Sequence, residues 1–142
     1  MSALGNIELD TVARIVELQP TVWRTTGAKM NIIDGGELPA GGEVPEDVLF
    51  VELTTTRHDH VQDAQARYFD VQLLRRFARD SSGKARRKAR AESAALYDAL
   101  HLSGHFVGAD SGGLYYDIRA IDTPVFLDDR HYSLNVTLWR LD

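Results

Sequence analysis

Three groups of side chains in this sequence have types and spacings that could carry chemistry. His58-Asp59-His60, with Asp63 close behind, holds metal-ligand donors. Along an extended segment residues two apart point the same way, so His58 and His60 could converge on one cation. A usable site needs a third and a fourth donor, and no His-Glu-x-x-His-type spacing supplies them. A solvated loop tip is the favoured reading. The second group is the run Arg75–Arg90, where eight of sixteen residues are Arg or Lys. Guanidinium forks suit phosphates, and helix N-termini attract anions. Phe77 is the one aromatic residue interleaved, which leaves base stacking unsupported. Contact with a subunit or protein partner is favoured over direct nucleic-acid recognition. The third group is the carboxylate pairs Asp128-Asp129 and Asp117/Asp122. Acid–base work requires one member to be buried with a raised pKa. Asp128-Asp129 lies in a turn-rich segment, where Asp serves local hydrogen bonds. No Gly-x-Ser-x-Gly, Walker or Rossmann pattern occurs. The expectation is a chain without catalysis, bound metal or cofactor.

The elements that position these groups follow from hydrophobic periodicity. Asn6–Gln19 reads as a helix with Leu9, Val12, Ala13 and Val16 inward, capped by Asn6 or Asp10 and stopped by Pro20. Thr21–Thr26 and Met30–Ile33 are short strand candidates. Gly35-Gly36, Pro39, Gly41-Gly42 and Pro45 mark a long loop. Asp47–Thr56 alternates as a strand with Leu49, Val51 and Leu53 on one face. Ala66–Phe77 is its antiparallel partner, with Phe69, Val71 and Leu73 inward. The polar stretch Arg57–Gln65 between them reads as a projecting hairpin tip.

Asp80-Ser81-Ser82-Gly83 offers helix caps, and a helix is expected from Lys84 to about Leu102. Ala85, Ala89, Ser93, Leu96 and Leu100 line its inner stripe. Gly104 suits the C-terminal cap, and His101 sits where partial positive charge is favourable. Ser103–Gly113 reads as a flexible link. Two alternating runs close the chain. The first places Tyr116, Ile118 and Ala120 opposite Tyr115, Asp117, Arg119 and Ile121, and the second places Tyr132, Leu134, Val136 and Leu138 inward. Pro124 cannot donate to a ladder, so Asp122–Arg130 is expected to be a wide exposed loop. The expected fold is α+β: two antiparallel hairpins forming a sheet covered by a long helix and an N-terminal helix.

Composition sets the class. The 142 residues suit a single domain, 44% are hydrophobic and 26% charged, and no run approaches the ~18 apolar residues of a membrane span. The first residues lack the basic start and apolar core of a secretion signal. With no cysteine, disulfides and thiolate zinc sites are excluded. A net charge of −5 argues against a whole-surface nucleic-acid binder.

The C-terminal segment Asp122-x-Pro124-Val125-x-x-Asp128-Asp129-Arg130-x-Tyr132-Ser133-x-Asn135-Val136, between two strands, resembles the tail terminator proteins of long-tailed bacteriophages. Gly36-Glu-Leu-Pro39, Tyr68-Phe-Asp-Val-Gln-Leu73 and Asp98-Ala-Leu-His101 are similar to that family as well. The resemblance implies a minor capsid protein that docks as a sixfold ring on the last ring of the tail tube. There it would stop tube polymerisation and join the tail to the head-completion protein. It implies self-association, the tail tube protein and the head-completion protein as partners, and DNA passing through the lumen without sequence-specific binding. The place implied is the head-proximal end of the virion tail, after synthesis in the host cytoplasm, with no membrane. The expected contact residues are Arg57, His58, Asp59 and His60 at the tip, Arg86, Arg87 and Arg90 on the helix, and Asp128, Asp129 and Arg130 in the loop. Long loops on a rigid sheet suit ring-to-ring contacts. The alternative is a small-ligand or enzymatic α+β domain, with Tyr115, Tyr116, Tyr132 and Trp139 lining a pocket.

Overall fold

The computed structural model describes residues 5–18, 31–34, 48–61, 64–77 and 83–141. Among these residues nine elements run in the order α1 (Gly5–Leu18), β1 (Asn31–Asp34), β2 (Val48–Val61), β3 (Ala64–Arg76), α2 (Lys84–Leu100), β4 (Phe106–Val107), β5 (Leu114–Ala120), β6 (Val125–Phe126) and β7 (His131–Leu141). They form one seven-stranded sheet of order β1-β2-β3-β7-β5-β4, with β6 also on β7. All pairings are antiparallel except β1 with β2. The α+β class with two hairpins under two helices is the observed architecture. Thr21–Thr26, the Gly35–Pro45 loop and the caps Asp80, Ser81 and Ser82 lie outside the described residues. No helix among the described residues is long and apolar enough to cross a membrane.

One face of the sheet carries the core. Leu49 and Val51 from β2, Phe69, Val71 and Leu73 from β3, and Leu134, Val136 and Leu138 from β7 are buried under Ile7 and Ile15 of α1 and Leu96 and Leu100 of α2. Their period of two places every second strand residue on this face. A second cluster joins Phe77, Ala89 and Tyr132, with Ala85 and Phe126 packed against it. Fully burying a Leu- or Phe-sized side chain is worth about 1.5–3 kcal/mol, so this one-faced core is the main source of cohesion.

Four expectations are corrected. The Arg57–Gln65 stretch does form a hairpin end, but its described residues are strand rather than loop: β2 and β3 pair through His58↔Arg67 and on to Val61↔Ala64. The strands outrun β7, whose last partner is Leu141 opposite Ala66, so the tip beyond them is two-stranded. In β5 the register shifts between Tyr115 and Asp117. That bulge adds one residue and reverses the alternation, so Tyr115 rather than Tyr116 is buried beside Ile118 and Ala120. The link 103–113 is tied down rather than flexible, as described below. The Asp122–Arg130 connector contains β6, which pairs with Tyr132 and Ser133 and continues the β5 edge of β7.

The ends of α2 also differ from expectation. Its N-cap is Gly83, left-handed at φ 73° and without a side-chain cap. It ends at Leu100, with His101 as C-cap donating its N–H to the Tyr97 carbonyl. The residue that turns the chain is Leu102 at φ 55°, two positions before Gly104. Such a φ is unfavourable for a leucine. It is held by the Leu102 N–H donating to the Ile118 carbonyl at 2.7 Å, while the Ala120 N–H donates to His101 Nδ1 at 3.0 Å. Through that second bond the His101 side chain caps the end of β5.

Candidate functional site

Helix α1 buries a different face from the one its apolar residues suggest. Leu9 and Val16 are 40% and 46% exposed, while Asp10, Thr11 and Arg14 are buried beside Ile7 and Ile15. Asp10 has partners that its position in the sequence does not reveal. Its Oδ1 accepts the N–H groups of Asp110 (2.8 Å) and Ser111 (3.0 Å), and its Oδ2 accepts the hydroxyls of Tyr115 (2.7 Å) and Ser111. Arg14 donates to the Ser103 carbonyl at 3.1 Å, and its guanidinium lies 4.8 Å from the centre of the Phe106 ring. A buried polar group is tolerated when it is hydrogen-bonded in this way, which is why the face rotates. Together these contacts tie the 103–113 segment to α1. Burial, then the hydrogen bond to Asp10, pushes the Tyr115 phenol well above its ordinary range.

A second buried polar network supports the start of α2. Arg75 Nε meets Glu92 Oε1 at 2.8 Å and Nη2 meets Oε2 at 3.3 Å, a two-pronged pair. The Tyr132 hydroxyl donates to the same Glu92 oxygen. Burial, reinforced by the Glu92 carboxylate, pushes the Tyr132 phenol up. Arg75 therefore leaves the basic run and becomes an interior residue. Glu92 interrupts an otherwise small, apolar stripe, and only that break in pattern marked it.

The rest of the basic run stays outside. Arg86, Arg87 and Arg90 are exposed and, with Gly83, line an open hollow of about 420 Å³. Phe126 lies beneath two of them, with the Arg86 and Arg90 guanidinium carbons 5.6 and 5.8 Å from the ring centre. That separation is within reach of a cation–π attraction, which limits the freedom of both side chains. Locally the helix is charged against its own interest. Its first turn holds no acidic residue. Cations near a helix N-terminus oppose the macrodipole at about 0.3–1 kcal/mol each. The i,i+4 like pairs Arg86/Arg90 and Lys84/Lys88 cost about 0.2–0.5 kcal/mol more apiece.

The face of the sheet away from the helices carries a row of rings. His105 and Tyr116 are 5.5 Å apart, Tyr116 and Trp139 5.0 Å, and Trp139 and Tyr68 6.0 Å with nearly parallel planes. With Leu102, Asp117, Arg119 and Thr137 they line a groove of about 460 Å³. Of the four aromatics expected at a pocket, only Tyr116 and Trp139 line it. Tyr115 and Tyr132 are fully buried in the core. Beside the groove, Asp70 accepts from Thr137 at 2.7 Å and from Thr55 at 2.6 Å, lacing β2, β3 and β7 together.

The remaining sequence-flagged residues fall in separate places. Arg57, His58, Asp59 and His60 lie along β2 near the hairpin tip, where only the backbone pairing is described. No group of three potential metal ligands occurs among the described residues. Asp128 accepts the Arg130 N–H at 2.7 Å and bonds His131 Nδ1 at 2.9 Å, and these two contacts, the backbone one foremost, hold its carboxyl below the usual range. That is turn chemistry, opposite in sign to the raised pKa an acid catalyst needs. Asp117 likewise accepts the N–H groups of Gly104 (3.1 Å) and Ile118 (2.8 Å).

A chain of a solved structure described as the virion of native gene transfer agent (GTA) particle is similar in fold. The two superpose with a TM-score of 0.51 at 17% identity, covering 99% of this chain and 98% of that one. At that identity the likeness is one of fold. No protein-family profile and no curated protein matches the sequence.

Proposed function

We propose that this chain, as one domain over residues 1–142, is a non-enzymatic structural subunit of a phage-like virion that caps the tail tube as a ring of six copies. The observation that carries the reading is the end-to-end likeness of fold to a chain of a gene transfer agent virion. It agrees with the tail terminator resemblance of the C-terminal segment, which now proves to be β6, its turn and β7. In this reading the ring stops tube polymerisation at the head-proximal end and offers its other face to the head-completion protein. Its contacts involve the β2–β3 tip at Arg57–His60, the α2 patch of Arg86, Arg87 and Arg90, and the Asp128–Arg130 turn. DNA passes through the lumen without sequence-specific binding, helped by the net charge of −5. Surface complementarity does this work, so no reacting group or cofactor is required.

The test is tube polymerisation followed by electron microscopy, with and without the purified chain. Tubes that stop at a fixed length and carry a sixfold ring at one end support the reading. Tubes that elongate equally in its presence overturn it. The aromatic groove favours a second reading, small-ligand binding by Tyr68, Tyr116 and Trp139. A ligand that raises the melting temperature in the wild type and not in a Trp139→Ala variant would support it.

A further inference from the structure

Glu92 apart, the acidic and basic side chains of α2 are not matched to one another among the described residues. Among the described residues Arg86, Arg87 and Arg90 form no ion pair, and neither do Asp98 and Asp110. Asp98 is exposed in the last turn of α2, where a carboxylate again has the sign the helix dipole disfavours. Asp110 is exposed in the β4–β5 turn, where its N–H donates to Asp10. Arg86 and Asp98 are twelve residues apart on one helix, about 18 Å along its axis. These unlike ends cannot reach each other in one molecule. They can in two.

We propose that Arg86, Arg87 and Arg90 of one copy dock on Asp98 and Asp110 of a second copy in a head-to-tail contact. This deepens the ring reading by naming the surfaces that meet. Charge complementarity selects the partner: without Lys84, Arg86, Arg87, Lys88 and Arg90 the net charge falls from −5 to −10, so a second copy presents the anionic surface this patch lacks. A phosphate polymer fits less well, because the chain as a whole repels polyanions at long range. The guanidinium forks match carboxylates two prongs at a time, and Phe126 beneath Arg86 and Arg90 lowers the entropy lost on pairing. The surfaces differ, the basic one lying in the first turns of α2 and the acidic residues in its last turn and in the β4–β5 turn. The contact is therefore heterologous, and it closes into a ring when the rotation per copy allows.

Two variants test the contact: Arg86→Glu/Arg87→Glu/Arg90→Glu, and Asp98→Lys/Asp110→Lys, each checked for native circular dichroism. Mass photometry and sedimentation are read at 50 and 500 mM NaCl. The wild type is expected to self-associate, more weakly in high salt, and each variant to associate at least ~30-fold more weakly. Mixed together, the variants offer complementary charges at both junctions, one native and one swapped, and should associate again where neither does alone. The proposal is overturned by a triple variant that associates like the wild type, by folded variants that stay monomeric when mixed, or by a wild type that remains monomeric at millimolar concentration in low salt. Tight, salt-steep binding of duplex DNA that is lost in the triple variant would also overturn it, assigning the patch to phosphates. A triple variant that still caps tubes removes this contact and leaves the ring reading standing. Wild-type protein that fails to cap tubes removes the ring reading itself.

Discussion

Replacing Glu92 by alanine should be among the most damaging single changes in the described fold. The side chain is 4% exposed and its partner Arg75 2%, with the prongs of the pair at 2.8 and 3.3 Å. Removing the carboxylate takes a two-pronged partner from a buried guanidinium and the acceptor from the Tyr132 hydroxyl. Breaking a buried pair from one side costs about 3–5 kcal/mol. Unfolding entropy near the melting point is about 2.1 cal/mol/K per residue, hence roughly 0.3 kcal/mol/K for a chain of this length. A loss of ~4 kcal/mol then lowers the melting temperature by about 13 °C. The assay is thermal and urea unfolding followed by circular dichroism, with the linear slope checked for two-state behaviour. The triple variant Arg75→Met/Glu92→Leu/Tyr132→Phe provides the control. Removing charge and hydroxyl together replaces the network with apolar side chains of similar size, so its stability should lie within ~2 kcal/mol of wild type, on either side. Glu92→Ala costing under ~1 kcal/mol, or the triple variant losing as much as the single one, would refute the argument.

Three further outcomes follow from the same contacts. A β-carbon at Gly108 would meet the Asp10 carboxyl at 2.4–2.7 Å, so Gly108→Ala should cost about 1–3 kcal/mol and speed amide exchange at Asp110 and Ser111; unchanged exchange at both amides would contradict this. Tyr115 and Tyr132 hold their protons above the ordinary phenol range, so the unfolded chain releases them first as pH rises. Their contribution to stability is complete below about pH 10 and declines above it, and the Tyr115→Phe/Tyr132→Phe variant should flatten the fall of unfolding free energy beyond pH 10; an unaltered slope would count against it. Asp128 is shifted the other way, so what its turn contributes is present above about pH 4 and disappears as pH falls through its lower folded value. Carboxyl NMR should place its midpoint below that of an ordinary aspartate, and Asp128→Asn should abolish the acid-dependent change in the Arg130 amide shift.

What the sequence determined by itself is the buried faces of β3 and β7 and the place where α2 begins. Alternation at Phe69/Val71/Leu73 and Tyr132/Leu134/Val136/Leu138 is a local signal, because strand geometry converts a period of two into a buried face without reference to the rest of the chain. The exposed arginines of α2 were legible for the same reason: nothing near them in sequence could neutralise them. Tertiary structure decided everything that depended on a distant partner. Asp10 read only as a candidate helix cap, and nothing singled out Arg14, until the 103–113 segment, some ninety to a hundred residues later, supplied their partners. Arg75 read as part of a basic surface until Glu92 took it inside. One extra residue between Tyr115 and Asp117 exchanged Tyr116 for Tyr115 in the core, since a one-residue slip reverses every side chain that follows. A charged or aromatic side chain goes wherever its hydrogen bonds are met, and where that is depends on which elements the fold brings together.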